Sequence, residues 1–185
     1  MEAHVENYKG LKITVEYDED TESPRSDMRD NLGTMLYTSN RYILGDKKVE
    51  GYEIDDVEGD DSLISLPVYA YIHSGTVLNT TGFSCPWDSG KCGIIYISKD
   101  KALKEWGRKR MSAKFEKKVE DLLRAEVQEY SDFCAGECYG YTVTTEDGTE
   151  LEACWGFIGD LDYVISEAKS VADYHALNPE TKEVA

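Results

Sequence analysis

Lys12-Ile13-Thr14-Val15-Glu16-Tyr17 alternates polar and apolar side chains, the period of a half-buried strand. Asp18-Glu19-Asp20-Thr21-Glu22-Ser23-Pro24 then breaks the alternation as an acidic loop. Met28 to Leu36 predicts a short helix capped by Ser26 or Asp27. Residues 45–62 hold Gly45, Gly51 and Gly59 together with seven acids between Glu50 and Asp61, which reads as turns with short strand pieces. Leu66-Pro67-Val68-Tyr69-Ala70-Tyr71-Ile72-His73 is a strand with Pro67 near its entry. Ser74-Gly75 turns the chain, and Thr76 to Thr81 is the return strand. Gly93-Ile94-Ile95-Tyr96-Ile97-Ser98 is apolar and β-branched, as a central strand requires.

A helix follows, capped by Ser98, running from Lys99 to Trp106 and stopped by Gly107. The longest helix starts at Ser112. Its apolar positions Phe115, Val119, Leu122, Leu123, Val127 and Tyr130 give it one buried face, and it ends near Gly136. Cys138 to Thr145 and Glu150 to Phe157 flank Glu146-Asp147-Gly148-Thr149, a hairpin signal. The last helix starts after Gly159, with Asp160 or Asp162 at its positive end, and stops at Asn178-Pro179 before a frayed tail. This pattern predicts an α+β fold: a largely antiparallel sheet packed against two or three helices, with an acidic N-terminal segment. The length fits one domain over residues 1–185, with an acidic portion at 1–65, a core at 66–176 and a tail at 177–185.

Composition supports a folded chain, because 13 Tyr, 4 Phe and 3 Trp are too many aromatics for a disordered acidic protein. Charge changes the picture more. The net charge is −17, but residues 66–98 contain only Asp88 and Lys91 among Asp, Glu, Lys and Arg, while residues 99–125 carry ten bases and five acids. Such a chain attracts cationic surfaces and repels free nucleic acid, so no strong binding to free nucleic acid is expected. The start MEAHVENYKG lacks the basic and apolar runs of a signal peptide, and no stretch reaches bilayer length. Five scattered cysteines, Cys85, Cys92, Cys134, Cys138 and Cys154, are then expected as thiols in a reducing cytoplasm.

The candidate chemistry competes with plainer roles. His73, Cys85, Asp88 and Ser89 suit a nucleophile, base and orienter, but the glycine-flanked serine elbow of the α/β hydrolases is missing. In the plainer role Pro86, Asp88 and Gly90 shape a tight loop and Trp87 plugs the end of the sheet. Cys85, Cys92, Cys134 and Cys138 supply the four thiols of a zinc site at looser spacing than a zinc knuckle, so no metal or other cofactor is expected. The paired carboxylates lack the ordered pattern of a calcium loop. Arg108, Lys109 and Arg110, within a wider cluster of Lys101, Lys104, Lys114, Lys117 and Lys118, form the candidate nucleic-acid contact.

Tyr71-Ile72-His73-Ser74-Gly75, Phe83-Ser84-Cys85-Pro86-Trp87-Asp88-Ser89-Gly90 and Gly93-Ile94-Ile95-Tyr96 resemble a family of small acidic proteins. Members of that family are carried by bacteriophages and other mobile elements of gut bacteria. The likeness runs through the Lys99–Trp106 helix and Cys154-Trp155-Gly156-Phe157, over roughly residues 66–176. Residues 18–65 find no counterpart, and Lys91 and Cys92 depart from the family's pattern. The resemblance implies an inhibitor of the type II anti-CRISPR kind, acting in the cytoplasm of a bacterial host, and it assigns no catalytic residue.

Charge and resemblance meet in one expectation, a stoichiometric inhibitor rather than an enzyme. Its acidic surface engages a basic, nucleic-acid-binding protein such as an RNA-guided nuclease with its guide RNA. The partner-binding residues are expected to be Asp18, Glu19, Asp20, Glu53, Asp55, Asp56, Glu58, Asp60 and Asp61. A small hydrolase built on His73, Cys85, Asp88 and Ser89, or a zinc-stapled interaction module, are the alternatives.

Overall fold

A computed structural model describes residues 1–26 and 29–178. The chain runs β1 (Glu2–Tyr8), β2 (Leu11–Tyr17), β3 (Thr34–Tyr37), β4 (Lys47–Lys48), α1 (Gly51–Glu58), β5 (Leu63–Ile72) and β6 (Thr76–Asn79). It continues with β7 (Ser89–Ser98), α2 (Lys99–Glu105), α3 (Ala113–Ala135), β8 (Cys138–Thr145), β9 (Glu150–Ile158) and α4 (Leu161–Leu177). The fold is α+β; among the described residues there are four helices and two sheets, in which β3 and β4 form the one parallel pairing. The elements gather into two compact units: Met1–Glu22 with the described residues from Gly136 onward, and Ser23–Ala135.

The first unit is an antiparallel sheet of order β1-β2-β8-β9 with α4 on one face. Leu11, Ile13 and Val15 of β2 and Tyr139, Tyr141 and Val143 of β8 bury against Val164, Ala168 and Ala172 of α4. Asp160 caps α4 by accepting the Asp162 amide at 2.9 Å. The β1–β2 turn places Lys9 and Gly10 at positive φ of 51° and 78°, the twist a two-residue hairpin needs. Strand β1 escapes the hydrophobic pattern because His4, Glu6 and Tyr8 take the positions facing α4. There Lys169 pairs with Glu6 at 2.9 Å, and Lys9 pairs with Asp173 at 2.7 Å.

The second unit is a sheet of order β4-β3-β7-β5-β6 between helices. Ile64, Leu66, Val68 and Ala70 of β5 and Ile95 and Ile97 of β7 bury against Phe115, Val119, Leu123 and Val127 of α3. Leu36 and Ile94 point to the other face, under Ile54 of α1. Pro67 is tolerated because β6 pairs with β5 only from Tyr69 to Ile72, so that side of β5 needs no donor at Pro67. Ser98 and Ser112 cap α2 and α3 as the pattern predicts.

Two elements differ from expectation. The described residues between Met28 and Leu36 form a loop and strand β3, not a helix; Asp27 and Met28 lie outside the described residues. Met35 and Leu36 are buried on opposite faces of the sheet, which a strand allows and a one-sided helix does not. The acidic stretch expected as turns contains α1. Ile54 and Val57, one helical turn apart, pack on the sheet, and Glu50 and Glu53 form a reciprocal capping box. The end of α4 falls at Asn178 as expected, and the tail from Pro179 lies outside the described residues.

Candidate interaction surface

The loop after β6 presents its apolar residue to water. Trp87, expected to plug the sheet, is 91% exposed. The turn beneath it is pinned on both sides. The Ser89 hydroxyl donates to the Cys85 carbonyl, and the Ile72 amide donates to the Asp88 carbonyl at 2.9 Å. Beside Trp87 lies a shallow groove of about 530 Å³ whose walls include Arg41, Tyr42, Leu44, Ile72 and Lys91. Lys91 also pairs with Glu58, so the end of α1 adjoins this groove. Arg41 and Tyr42 carry no sequence signal, because the segment from Thr38 to Asp46 has neither helical nor strand period.

The predicted acids divide between the two units and between two roles. In the first unit, Asp18 accepts the Asp20 and Gly156 amides, each at 3.0 Å, and so fixes the bulge at Gly156; Glu19 and Asp20 are exposed. In the second unit, Glu53 accepts the Glu50 amide at 3.0 Å, and Asp60 accepts the Ser62 amide at 2.8 Å. Hydrogen bonds from Ser62 hold the Asp60 carboxyl below its ordinary value. Asp55 and Asp56 stand exposed on α1 without ion pairs among the described residues, and Asp61 is exposed just after it. Tyr52, 66% exposed, shares their helix face.

The hydrolase candidates meet in part. The Asp88 carboxylate lies 3.6 Å from His73 Nδ1 and 3.9 Å from Cys85 Sγ. Among the described residues no hydrogen bond joins His73 to Cys85, and the Ser89 hydroxyl is spent on the loop backbone. The cysteines show no disulfide, and Cys134 and Cys138 belong to different units. Cys92 donates to the Val68 carbonyl at 3.4 Å, and burial pushes its thiol up to about 12. Among the described residues no group of three or more His, Cys, Asp or Glu is placed to hold a metal ion, and no helix is long and apolar enough to cross a membrane.

Arg108, Lys109 and Arg110 are exposed in the connection between α2 and α3. The Arg108 guanidinium lies 4.7 Å from the centre of the Phe115 ring. Comparison with protein-family models, with curated proteins and with solved structures finds no match.

Proposed function

We propose that the protein is a stoichiometric binding protein. It docks onto a basic, nucleic-acid-binding partner through Trp87 and the carboxylates of α1 and the turn after it. The exposure of Trp87 on a pinned loop carries this reading. An indole left in water contributes nothing to folding, whereas one held in place before contact is an anchor that loses little entropy on binding. Asp55 and Asp56 add exposed negative charge on a helix whose Ile54 is buried in the sheet, and Asp61 adds more in the turn after it. Carboxylates on a rigid element suit a channel built for phosphates.

The resemblance to acidic proteins of phages makes an RNA-guided DNA-cutting effector, loaded with guide RNA in the bacterial cytoplasm, the first partner to test. Titrating the protein into a purified type II complex should stop DNA cleavage at one equivalent. Trp87→Ala should weaken binding by about 2 kcal/mol or more, some thirtyfold. A second reading, a small hydrolase, draws on the approach of His73 and Cys85 to Asp88. It requires inhibition below one equivalent, lost in Cys85→Ala; the binding reading requires Cys85→Ala and Ser89→Ala to leave inhibition largely intact.

A further inference from the structure

Within residues 99–125, the stretch with a positive balance, seven residues from Arg108 to Asp121 line a cavity of about 490 Å³ at the start of α3. Arg108, Lys114, Lys117 and Lys118 wall it, and Asp121 is its single acid. Lys117 and Arg124 already bond the Asp121 carboxylate at 3.1 to 3.3 Å. Arg108, Lys114 and Lys118 make no ion pair among the described residues, although the chain holds 37 acids against 20 bases. Two of these cations are positioned by rings instead: Arg108 lies over Phe115 at 4.7 Å, and the Lys118 ammonium over Trp106 at 5.4 Å. Lys109 and Arg110 do not line the cavity.

We infer that this cavity binds adjoining phosphate groups, whether consecutive phosphates of a nucleic-acid strand or the oligophosphate of a nucleotide. Three uncompensated cations converge on one concave site, and an acidic chain has every means to neutralise them internally. The volume lies in the range of ligand pockets, roughly 300–1,000 Å³, and so exceeds what a lone ion needs. The positive end of α3 lies in the same wall and adds to the attraction. This site shares no residue with the Trp87 groove, so either assignment stands or falls without the other.

The test titrates the full chain with a labelled single-stranded RNA of about 12 nucleotides and, separately, with inorganic tripolyphosphate, at about 50 mM salt, where contacts between the cations and phosphate are strongest. Saturable binding is expected, with amide shifts in the intact protein centred on Arg108 to Lys118. Lys114→Ala with Lys118→Ala should lose at least about tenfold in affinity at unchanged melting temperature, and its salt slope for the single strand should fall by about 1.4. Lys109→Ala with Arg110→Ala should change affinity by less than about twofold. Binding of the RNA would identify a strand as the source and binding of tripolyphosphate alone a nucleotide, each supporting the site. No saturable binding of either probe, or equal losses in the two double variants, would overturn it.

Discussion

Arg25 shows how much one side chain organises in the second unit. Its side chain, 3% exposed, donates to Asp46 at 2.7 Å, to Glu126 at 2.9 Å and to the Gly33 carbonyl at 2.7 Å. Glu126 in turn accepts the Leu32 amide, and Asp46 accepts the Met35 amide. The network thus fastens the irregular segment before β3 to α3. Arg25→Met should lower stability in urea unfolding by about 3–5 kcal/mol, because it strands the Glu126 carboxylate, which burial has cut off from water. A loss under about 1 kcal/mol would show that the network is peripheral. Trp87→Ala should instead stay within about 0.5 kcal/mol of the parent, as for a surface change. Neither role was legible in the sequence. Arg25 pairs with Glu126 about a hundred positions away, and an apolar residue in a loop looks the same whether it plugs a core or faces water. The Ser caps were legible, because their partners lie three residues on.

At the scale of elements, the strands with one buried face and the long helices were legible, and those with polar inward positions were not. Helix α1 hides because only Ile54 and Val57 mark its buried side among seven acids between Glu50 and Asp61. Ile54→Ala should cost about 2–5 kcal/mol and release the helix that presents Asp55 and Asp56, seen as faster amide exchange across Gly51–Glu58. Strand β1 hides because its contact with α4 is ionic. Hydrogen bonds from Lys169 and Lys9 hold the Glu6 and Asp173 carboxyls below their ordinary values of 4.5 and 3.8. A lowered carboxyl contributes stability that is complete above its ordinary value and disappears as pH falls through the lowered one. The melting temperature of the first unit should therefore drop between about pH 5 and pH 2, and Lys9→Ala with Lys169→Ala should flatten that drop. An unchanged acid limb in the double variant would contradict the ionic clasp.

Over the whole molecule, charge is sorted by place. Some carboxylates build structure: Asp18 at a bulge, Glu53 at a cap, Asp46 and Glu126 around Arg25. Asp55, Asp56 and Asp61 are left to solvent on α1 and the turn after it, and a separate set of cations surrounds the cavity at α3. The sequence made the excess of acid plain, but not which acids were already committed, since that depends on partners brought close only by folding. The measurement that tests the account most directly is the affinity of the protein for a guide-loaded, RNA-guided nuclease, read across salt from about 50 to 200 mM. It should be made with the parent, with Trp87→Ala, and with Asp55, Asp56, Asp60 and Asp61 together changed to Asn. Tight one-to-one binding is expected, weakening as salt rises because exposed charges are screened beyond about 8 Å at physiological ionic strength. Both variants should lose roughly tenfold or more in affinity at unchanged melting temperature. Full affinity in both variants, or binding indifferent to salt, would contradict the binding reading.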